Sequence, residues 1–355
     1  MKIKAIRLYR ADMKLTEPYA IAYETIDRAV NIFIRADTDR GITGFGCCCP
    51  DLAITGETPE GAMKTLQEIV IPSLIGADPL RTAKILLSLK NRIGKEPSVL
   101  AGVDIMLYDI LGRTAGLPLW RMLGGFRDRI KTSITIGILD ADTTLKKALE
   151  YKKQGFKSIK IKGGLNVNED IDKIKGLRDG LGREMELRFD ANQGYSVQEA
   201  IHFVKETKKA RIELIEQPTP KTEYDLLRQV TKSVSIPVMA DESLVTLRDA
   251  FRLARMSLVD MINIKLVKVG GINEAMLINA VALSARLETM VGCMDESALS
   301  VAAGLHFALA RPNVLYADLD SHLSLSGDPS EGAVTLRKGV LFAGSKPGIG
   351  CDLDF

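Results

Sequence analysis

Six charged residues recur at a near-constant interval from residue 162 onward: Lys162, Asp190, Glu216, Asp241, Lys265 and Asp318. Successive steps are 28, 26, 25 and 24 residues, and the last is 53, about two such steps. Asp190, Glu216 and Asp241 are three carboxylates that repel one another unless a cation sits between them. Oxygen-only ligands with room for water suit Mg²⁺. Lys160 and Lys162 lie two apart in a strand-like run, so alternation points both ammonium groups to one side and Ile159 and Ile161 to the other. A like charge nearby lowers a lysine pKa and makes the amine a better proton acceptor. A cation flanked by lysines suits removal of a weakly acidic C–H proton beside a carboxylate, with one lysine taking the proton and the other returning it. The same residues also fit ordinary roles: lysines blunting a strand edge, and acids capping the helices that follow.

The interval itself discriminates between these readings. From Arg129 onward, eight strand-like runs alternate with amphipathic helices: Lys131–Gly137, Ser158–Lys162, Glu186–Asp190, Ile212–Glu216, Val238–Asp241, Met261–Lys265, Thr289–Cys293 and Leu315–Asp318. One strand-plus-helix unit of a (β/α)₈ barrel has this length, and the C-terminal ends of its strands open on one face. The chain is therefore assigned to the α/β class, with lysines on roughly opposite sides of the barrel mouth and three acids between them. Residues 1–125 form a mixed α+β unit, 126–320 the barrel, and 321–355 a segment that must leave it. Within the first unit, Ile3–Arg10, Ala29–Ala36 and Ile42–Cys49 read as strands, and Thr16–Glu24 reads as a loop. Helices are expected over Thr58–Ile71, with Pro72 as the stop, over Pro79–Ile93 and over Ser98–Arg113.

Composition narrows the function classes. The chain has 355 residues, 46% of them hydrophobic, and a formal charge of +3. That charge is small and interspersed, which argues against nucleic-acid or membrane surfaces. Of five cysteines, Cys47, Cys48 and Cys49 are consecutive. This gives neither a zinc spacing nor a disulfide framework, so buried thiols and a reducing cytoplasm are expected. His202 and His306 fall within helical runs, away from the strand ends, which argues against a histidine base.

The motifs Lys160-Ile161-Lys162, Asp190-Ala191-Asn192-Gln193-Gly194, Glu216-Gln217-Pro218, Ala240-Asp241-Glu242-Ser243 and Asn263-Ile264-Lys265 together resemble the enolase superfamily in its muconate-lactonising-enzyme subgroup. The resemblance spans essentially the whole chain. It implies a modified barrel under an α+β capping domain built from the N-terminal part and the C-terminal tail. It also implies one Mg²⁺ per subunit on Asp190, Glu216 and Asp241, with Lys162 and Lys265 as the acid/base pair and Lys160 assisting. Asp318-Leu319-Asp320 resembles the paired aspartates of dipeptide epimerases, which suit a dipeptide's α-ammonium. Thr55-Gly56-Glu57 also resembles that group, and Thr55 and Ser297 are placed with Asp318 and Asp320 among the substrate contacts. Cys47 stands where relatives often carry Glu. Glu24 aligns near an Arg of Ala-Glu epimerases, and Asp295 falls where an apolar residue is usual. Two acids there favour cationic dipeptides.

The resulting expectation is a Mg²⁺-dependent dipeptide epimerase, a cytoplasmic homo-oligomer whose partner is a small dipeptide. A cycloisomerase or o-succinylbenzoate synthase of the same subgroup is the alternative enzyme. A catalytically silent barrel that binds small acids or a protein is the alternative outside enzymes.

Overall fold

The computed structural model describes residues 1–355. The chain opens with an antiparallel meander of β1 (Ile3–Ala20), β2 (Thr25–Thr38) and β3 (Thr43–Cys48). The segment expected as a loop over Thr16–Glu24 is mostly strand. Cross-strand pairing resumes at Tyr19 and Ala20 after a register shift beyond Lys14, leaving a short turn before Thr25. The bulge twists the hairpin end and carries Tyr19 towards the barrel.

Helices follow. The first begins at Pro59, with the Thr58 hydroxyl capping Gly61 N–H at 3.1 Å. It does not stop at Pro72. A π-helical turn over Leu66–Val70 precedes a last α turn, Ile71–Leu74. That turn widens the hydrogen-bond ladder just where the proline ring and its missing N–H would strain a regular helix. Helix Pro97–Ala115 is buried along nearly its whole length and packs directly on β3. A Cβ on Gly46 would stand 2.0 Å from the Gly102 carbonyl, and one on Gly102 would stand 2.3 Å from Cys48 Sγ. Backbone contact at that crossing excludes larger residues, which explains the small thiol at Cys48, fully buried.

The run expected over Lys131–Gly137 is two strands. β4 (Arg129–Lys131) belongs to a small separate sheet, and β5 (Ile134–Ile136) begins the barrel. Parallel strands β6 (Ser158–Lys162), β7 (Glu186–Asp190), β8 (Ile215–Glu216), β9 (Val238–Ala240), β10 (Met261–Lys265), β11 (Glu288–Gly292) and β12 (Val314–Asp318) follow in ring order. Closure between β12 and β5 rests on a Thr132–Ala317 bridge and on Ser133 N–H donating to the Ala317 carbonyl at 3.1 Å. α-Helices follow the first seven barrel strands, whereas only a short 3₁₀ turn, Ser321–Leu323, follows β12. Outward residues such as Ile159, Ile161, Phe189 and Ile264 join the core beneath the helices. The interior carries Leu214, Met239, Met261 and Met290 as an apolar cluster with Tyr316 against it.

The tail returns to both neighbours. β13 (Leu325–Ser326) pairs with β1, while β14 (Thr335–Arg337) and β15 (Val340–Phe342) complete the sheet with β4. No helix is long and apolar enough to cross a membrane.

His306 is structural, as its helical position suggests. Its Nδ1 accepts from Trp120 N–H at 2.9 Å, and its Nε2 lies 3.1 Å from the Ile349 carbonyl. Those partners fix the neutral ring with hydrogen on Nε2. Burial pushes the pKa down to about 4. Burial lowers that of His322 to about 4 as well. The unfolded chain binds these protons near pH 6.5, so the stability these rings contribute is complete above that pH and is lost as pH falls from 6.5 towards 4. Each ring should steepen the loss by up to about 1.4 kcal/mol per pH unit in that window. Urea midpoints measured from pH 7.5 to 5 should fall accordingly, and His306→Gln should flatten the slope. A wild-type midpoint that does not fall would contradict the assignment.

Candidate active site

Strand register brings the spaced charges to one level. Lys162 pairs with Asp190 across β6 and β7, Asp190 with Glu216 across β7 and β8, Lys265 with Gly292, and Gly292 with Asp318. Asp241 follows β9 directly. Carboxylate oxygens of Asp190, Glu216 and Asp241 all lie within 4.8 Å of one another, and all three residues are buried.

These acids are held by ammonium groups. Lys160 Nζ sits 3.0 Å from Asp190, 2.8 Å from Glu216 and 2.9 Å from Asp318. Lys162 Nζ is 2.8 Å from Asp190 Oδ2 and 2.9 Å from Asn192 Oδ1. Lys265 Nζ is 2.7 Å from Asp241 Oδ2, and Lys268 Nζ is 2.5 Å from Asp241 Oδ1. The shared contact with Asp190 confirms that Lys160 and Lys162 point the same way. Their mutual repulsion does not set the Lys160 pKa, contrary to the sequence-based expectation. Burial works to lower it, but Asp190, Asp318 and Glu216 outweigh burial and hold the ammonium well above the ordinary lysine range. Lys265 is raised for the same reason, burial being overcome chiefly by Asp241. Burial and the charge of Asp190 push Glu216 up to about 7. Asp241 is held low against burial by Lys265 and Lys268.

The three oxygens fit a divalent cation. Lys160 Nζ, within 3.0 Å of both Asp190 and Glu216, shows that the acids accept positive charge there. Hard carboxylate donors without sulfur or imidazole suit Mg²⁺.

A cavity of about 470 Å³ opens above the acids. Lys160, Lys162, Lys265, Asp241, Asp318, Asp320, Asp295 and Glu24 all line it. Thr55 and Ser297 do not, which corrects their expected place among the substrate contacts. The Thr55 hydroxyl donates to the Asp51 carbonyl at 2.8 Å and accepts from Asp51 N–H at 3.1 Å, so it is spent closing its own turn. Ser297 is fully buried and caps helix Ala298–Ala310. Glu57, next to Thr55, caps helix Pro97–Ala115 through Ser98 N–H at 2.9 Å and Val99 N–H at 3.0 Å. That anchors the loop Asp51–Glu57 at the cavity edge.

Asp318 is less free than a pair of ammonium acceptors would require. Its Oδ1 takes Ser133 Oγ–H at 2.6 Å and its Oδ2 takes Lys160. Asp320 accepts Thr135 N–H at 2.6 Å through Oδ2, and its Oδ1 lies 3.9 Å from the Cys293 thiol. Burial and the charge of Asp318 push Asp320 up to about 7.

Several residues of the site were given no role from the sequence, although Asn192 and Asn263 stand within its motifs. Asn263 lies two positions before Lys265 on β10, a spacing that strand alternation could have flagged, and donates to Glu216 Oε1 at 2.8 Å. Asn192 has a left-handed backbone, φ 41°, that folds its amide back onto Lys162 and Glu242. Lys268 lies one helical turn beyond Lys265. Tyr19, Tyr23 and Asp51 come from the first 125 residues, and no periodicity could tie them to the barrel.

A buried carboxylate triad flanked by lysines, at the mouth of a capped parallel barrel, is the site of one protein class, and comparison with known families agrees. Residues 4–124 match the mandelate racemase/muconate lactonizing enzyme N-terminal domain, and residues 143–355 match the enolase C-terminal domain-like family. The chain belongs to this enolase-type family. It is 40% identical to the L-Lys-D/L-Arg epimerase of Desulforapulum autotrophicum, over 99% of each chain. The substrate-liganded L-Ala-D/L-Glu epimerase of Bacillus subtilis superposes with a TM-score of 0.96 at 36% identity, covering 99% of each chain. The Enterococcus faecalis dipeptide epimerase complexed with Mg and L-Leu-L-Tyr also gives 0.96 at 36% identity, covering 99% of this chain and 100% of that one.

Asn263 orients Glu216, and partners of this kind are worth roughly ten- to a hundredfold in metal affinity. Asn263→Leu should weaken Mg²⁺ binding by about that factor in calorimetric titration. Unchanged affinity would show that Glu216 needs no such support.

Proposed function

We propose that this chain is a Mg²⁺-dependent dipeptide epimerase that inverts the α-carbon of the C-terminal residue. The observation that carries the reading is the placement of Lys162 and Lys265. β6 and β10 are four strands apart in a ring of eight, so their lysines face each other across the mouth. Asp190, Glu216 and Asp241 occupy the semicircle from β7 to β9. Asp295, Asp318 and Asp320 occupy the semicircle of β11 and β12. The full-length likeness to epimerases solved with Mg and dipeptide supports the same reading.

Held by Asp190, Glu216 and Asp241, Mg²⁺ supplies positive charge beside the substrate carboxylate, where negative charge builds as the α-proton leaves. The rest is the work of side chains. A carboxylate seated towards the β7–β9 side leaves the adjacent α-carbon between the two lysine Nζ atoms. One lysine, neutral, accepts the α-proton from its face as the C–H bond breaks. The other, as ammonium, delivers a proton to the opposite face as the new C–H bond forms. The two lysines exchange protonation states, and the product has the inverted configuration. Lys160, fixed between Asp190, Glu216 and Asp318, adds positive charge beside the developing anion. Asp320, whose Oδ1 meets only the weak Cys293 thiol donor, receives the dipeptide's α-ammonium beside Asp318. Cycloisomerase and o-succinylbenzoate synthase substrates carry no such ammonium, so neither reading accounts for acids on the β11–β12 side.

The test is exchange of the substrate α-proton in D₂O with Mg²⁺, followed by mass spectrometry and chiral analysis. Wild type should exchange and epimerise both enantiomers. Lys162→Ala should lose exchange from one enantiomer and Lys265→Ala from the other, and each should lose epimerisation. Full epimerisation by either variant would remove the two-base scheme.

A further inference from the structure

A buried cation inside the barrel has no part in the scheme above. Arg188 stands two residues before Asp190 on β7, so alternation points it into the lumen, one layer below the metal-site acids and level with Lys160. It is 2% exposed. Its neighbour in that interior is Tyr316, whose ring centre lies 5.1 Å from the guanidinium and which packs against the apolar cluster. A guanidinium enclosed in this way is costly unless it is paired. Nε donates to Glu213 Oε2 at 2.9 Å. Nη1 donates to the Ala317 carbonyl at 3.0 Å and to Ser133 Oγ at 3.2 Å. Those last two partners stand on either side of the β5–β12 closure. Arg188 therefore reaches from β7 to the seam of the barrel.

The contact with Ser133 has a direction. Ser133 is fully buried, and its hydroxyl has one hydrogen to give. Two acceptors are in reach, Asp318 Oδ1 at 2.6 Å and the Ala317 carbonyl at 3.4 Å. Arg188 decides between them twice over. Guanidinium can only donate, so it occupies a lone pair of Ser133 Oγ and leaves the hydroxyl to act as a donor elsewhere. It also donates to the Ala317 carbonyl, which already accepts Ser133 N–H at 3.1 Å, and that oxygen's two lone pairs are then filled. The hydroxyl proton is left for Asp318, and the charged donor behind it strengthens the bond. Asp318 Oδ2 takes Lys160 Nζ at 2.9 Å, so the carboxylate is held at both oxygens. Against burial, Lys160 and the Ser133 hydroxyl keep it well below the ordinary carboxylate range.

We propose that Ser133 and Arg188 are positioning residues for the dipeptide's α-ammonium and act through Asp318: Arg188 aims the Ser133 hydroxyl, and that hydroxyl holds the Asp318 carboxylate beside Asp320, where the ammonium binds. This rests on the epimerase reading above and adds the residues of the barrel interior that govern recognition of the amino end. A hydrogen bond to a charged group is worth about ten- to a hundredfold in binding.

The experiment measures kcat and KM for α-proton exchange in D₂O with Mg²⁺, on whichever of Ala-Glu, Ala-Leu and Ala-Lys exchanges fastest. Wild type, Ser133→Ala, Arg188→Met and the double variant are compared, with a thermal midpoint for each. Ser133→Ala should raise KM about tenfold with little change in kcat. The same dipeptide without its α-amino group, used as a competitive inhibitor, should bind Ser133→Ala as it binds wild type. Arg188→Met should also raise KM, but only in the wild-type background, because Ser133→Ala has already cut its path to Asp318. Ser133→Ala leaves Arg188 its contacts with Glu213 and Ala317, so it decides the question by itself where Arg188→Met does not fold. A lower thermal midpoint with unchanged KM in Ser133→Ala would make the pair a staple of the barrel seam and overturn the proposal. Equal weakening of dipeptide and analogue, or Arg188→Met and Ser133→Ala effects that multiply, would overturn it as well and leave an epimerase. Exchange with none of the three dipeptides would overturn the epimerase reading, and the proposal with it.

Discussion

Everything at the barrel mouth depends on how Lys160 is compensated. Its ammonium is fully enclosed and touches carboxylates from three strands, β7, β8 and β12. Enclosed charges survive only with close partners, and stripping one partner from such a group costs about 3–5 kcal/mol. Stability alone would not favour this arrangement, since well-packed apolar residues of similar volume often do as well or better. The barrel itself contains the apolar solution, in Leu214, Met239, Met261 and Met290. The charged layer is therefore a constraint accepted for chemistry. Acids and lysines are packed so closely that a cation, a carboxylate and a proton can be exchanged among them with little movement.

The first 125 residues are joined to that layer by buried polar contacts as well as by apolar packing. Asp104, on the long helix Pro97–Ala115, accepts Ile272 N–H at 2.5 Å, capping helix Ile272–Ala285. Asp109, one turn further on, accepts Phe45 N–H at 2.9 Å and Ile349 N–H at 2.8 Å, and pairs with Arg113. Asn31 on β2 donates to the Asp295 carbonyl at 3.1 Å and accepts Ser297 N–H at 3.0 Å. Cys47, opposite Phe33 on β3, lies 3.4 Å from Asn31 Oδ1 and 3.3 Å from Ser297 Oγ. A thiol there is a small, weakly polar filler for a joint whose strong hydrogen bonds come from Asn31. Shifting β2 would move the main chain of the β11 loop with it.

Much of this was legible in the sequence because barrels impose a period. β6, β7 and β10 end where alternation and a terminal charge place them, since a buried parallel strand reads as a continuous apolar run closed by a functional residue. Interruptions without a period were not legible. A π turn before Pro72 leaves no compositional mark, and a bulge within Lys14–Tyr19 looks like a loop because turn-like Pro18 sits in it. Thr55 and Ser297 illustrate a second limit. A hydroxyl beside an active-site loop can face ligand or backbone, and only coordinates show that both spend their oxygens on local turns and caps. The Lys160 pKa illustrates a third. Adjacent lysines suggested mutual depression, but the sign is set by carboxylates on other strands, whose distances no single motif encodes.

The same organisation separates the charged ladder from the rim of the cavity. The lysines and acids stand on strand ends, where register leaves each side chain almost no freedom. The rim acids Glu24, Asp51 and Asp295 sit on loops, yet their loops are tied down away from the cavity. Thr55 and Glu57 hold the turn beyond Asp51, β-pairing at Tyr19 and Ala20 holds the turn that carries Glu24, and Asn31 holds the backbone of Asp295. A charge on such a rim can change while the anchors and the strand-end ladder stay as they are. Conversely, a change at Asn31 or Glu57 would move a rim loop without altering the strand-end ladder. The cavity rim is thus a feature of the joint between the two parts of the chain, and the charged ladder is a feature of the barrel alone.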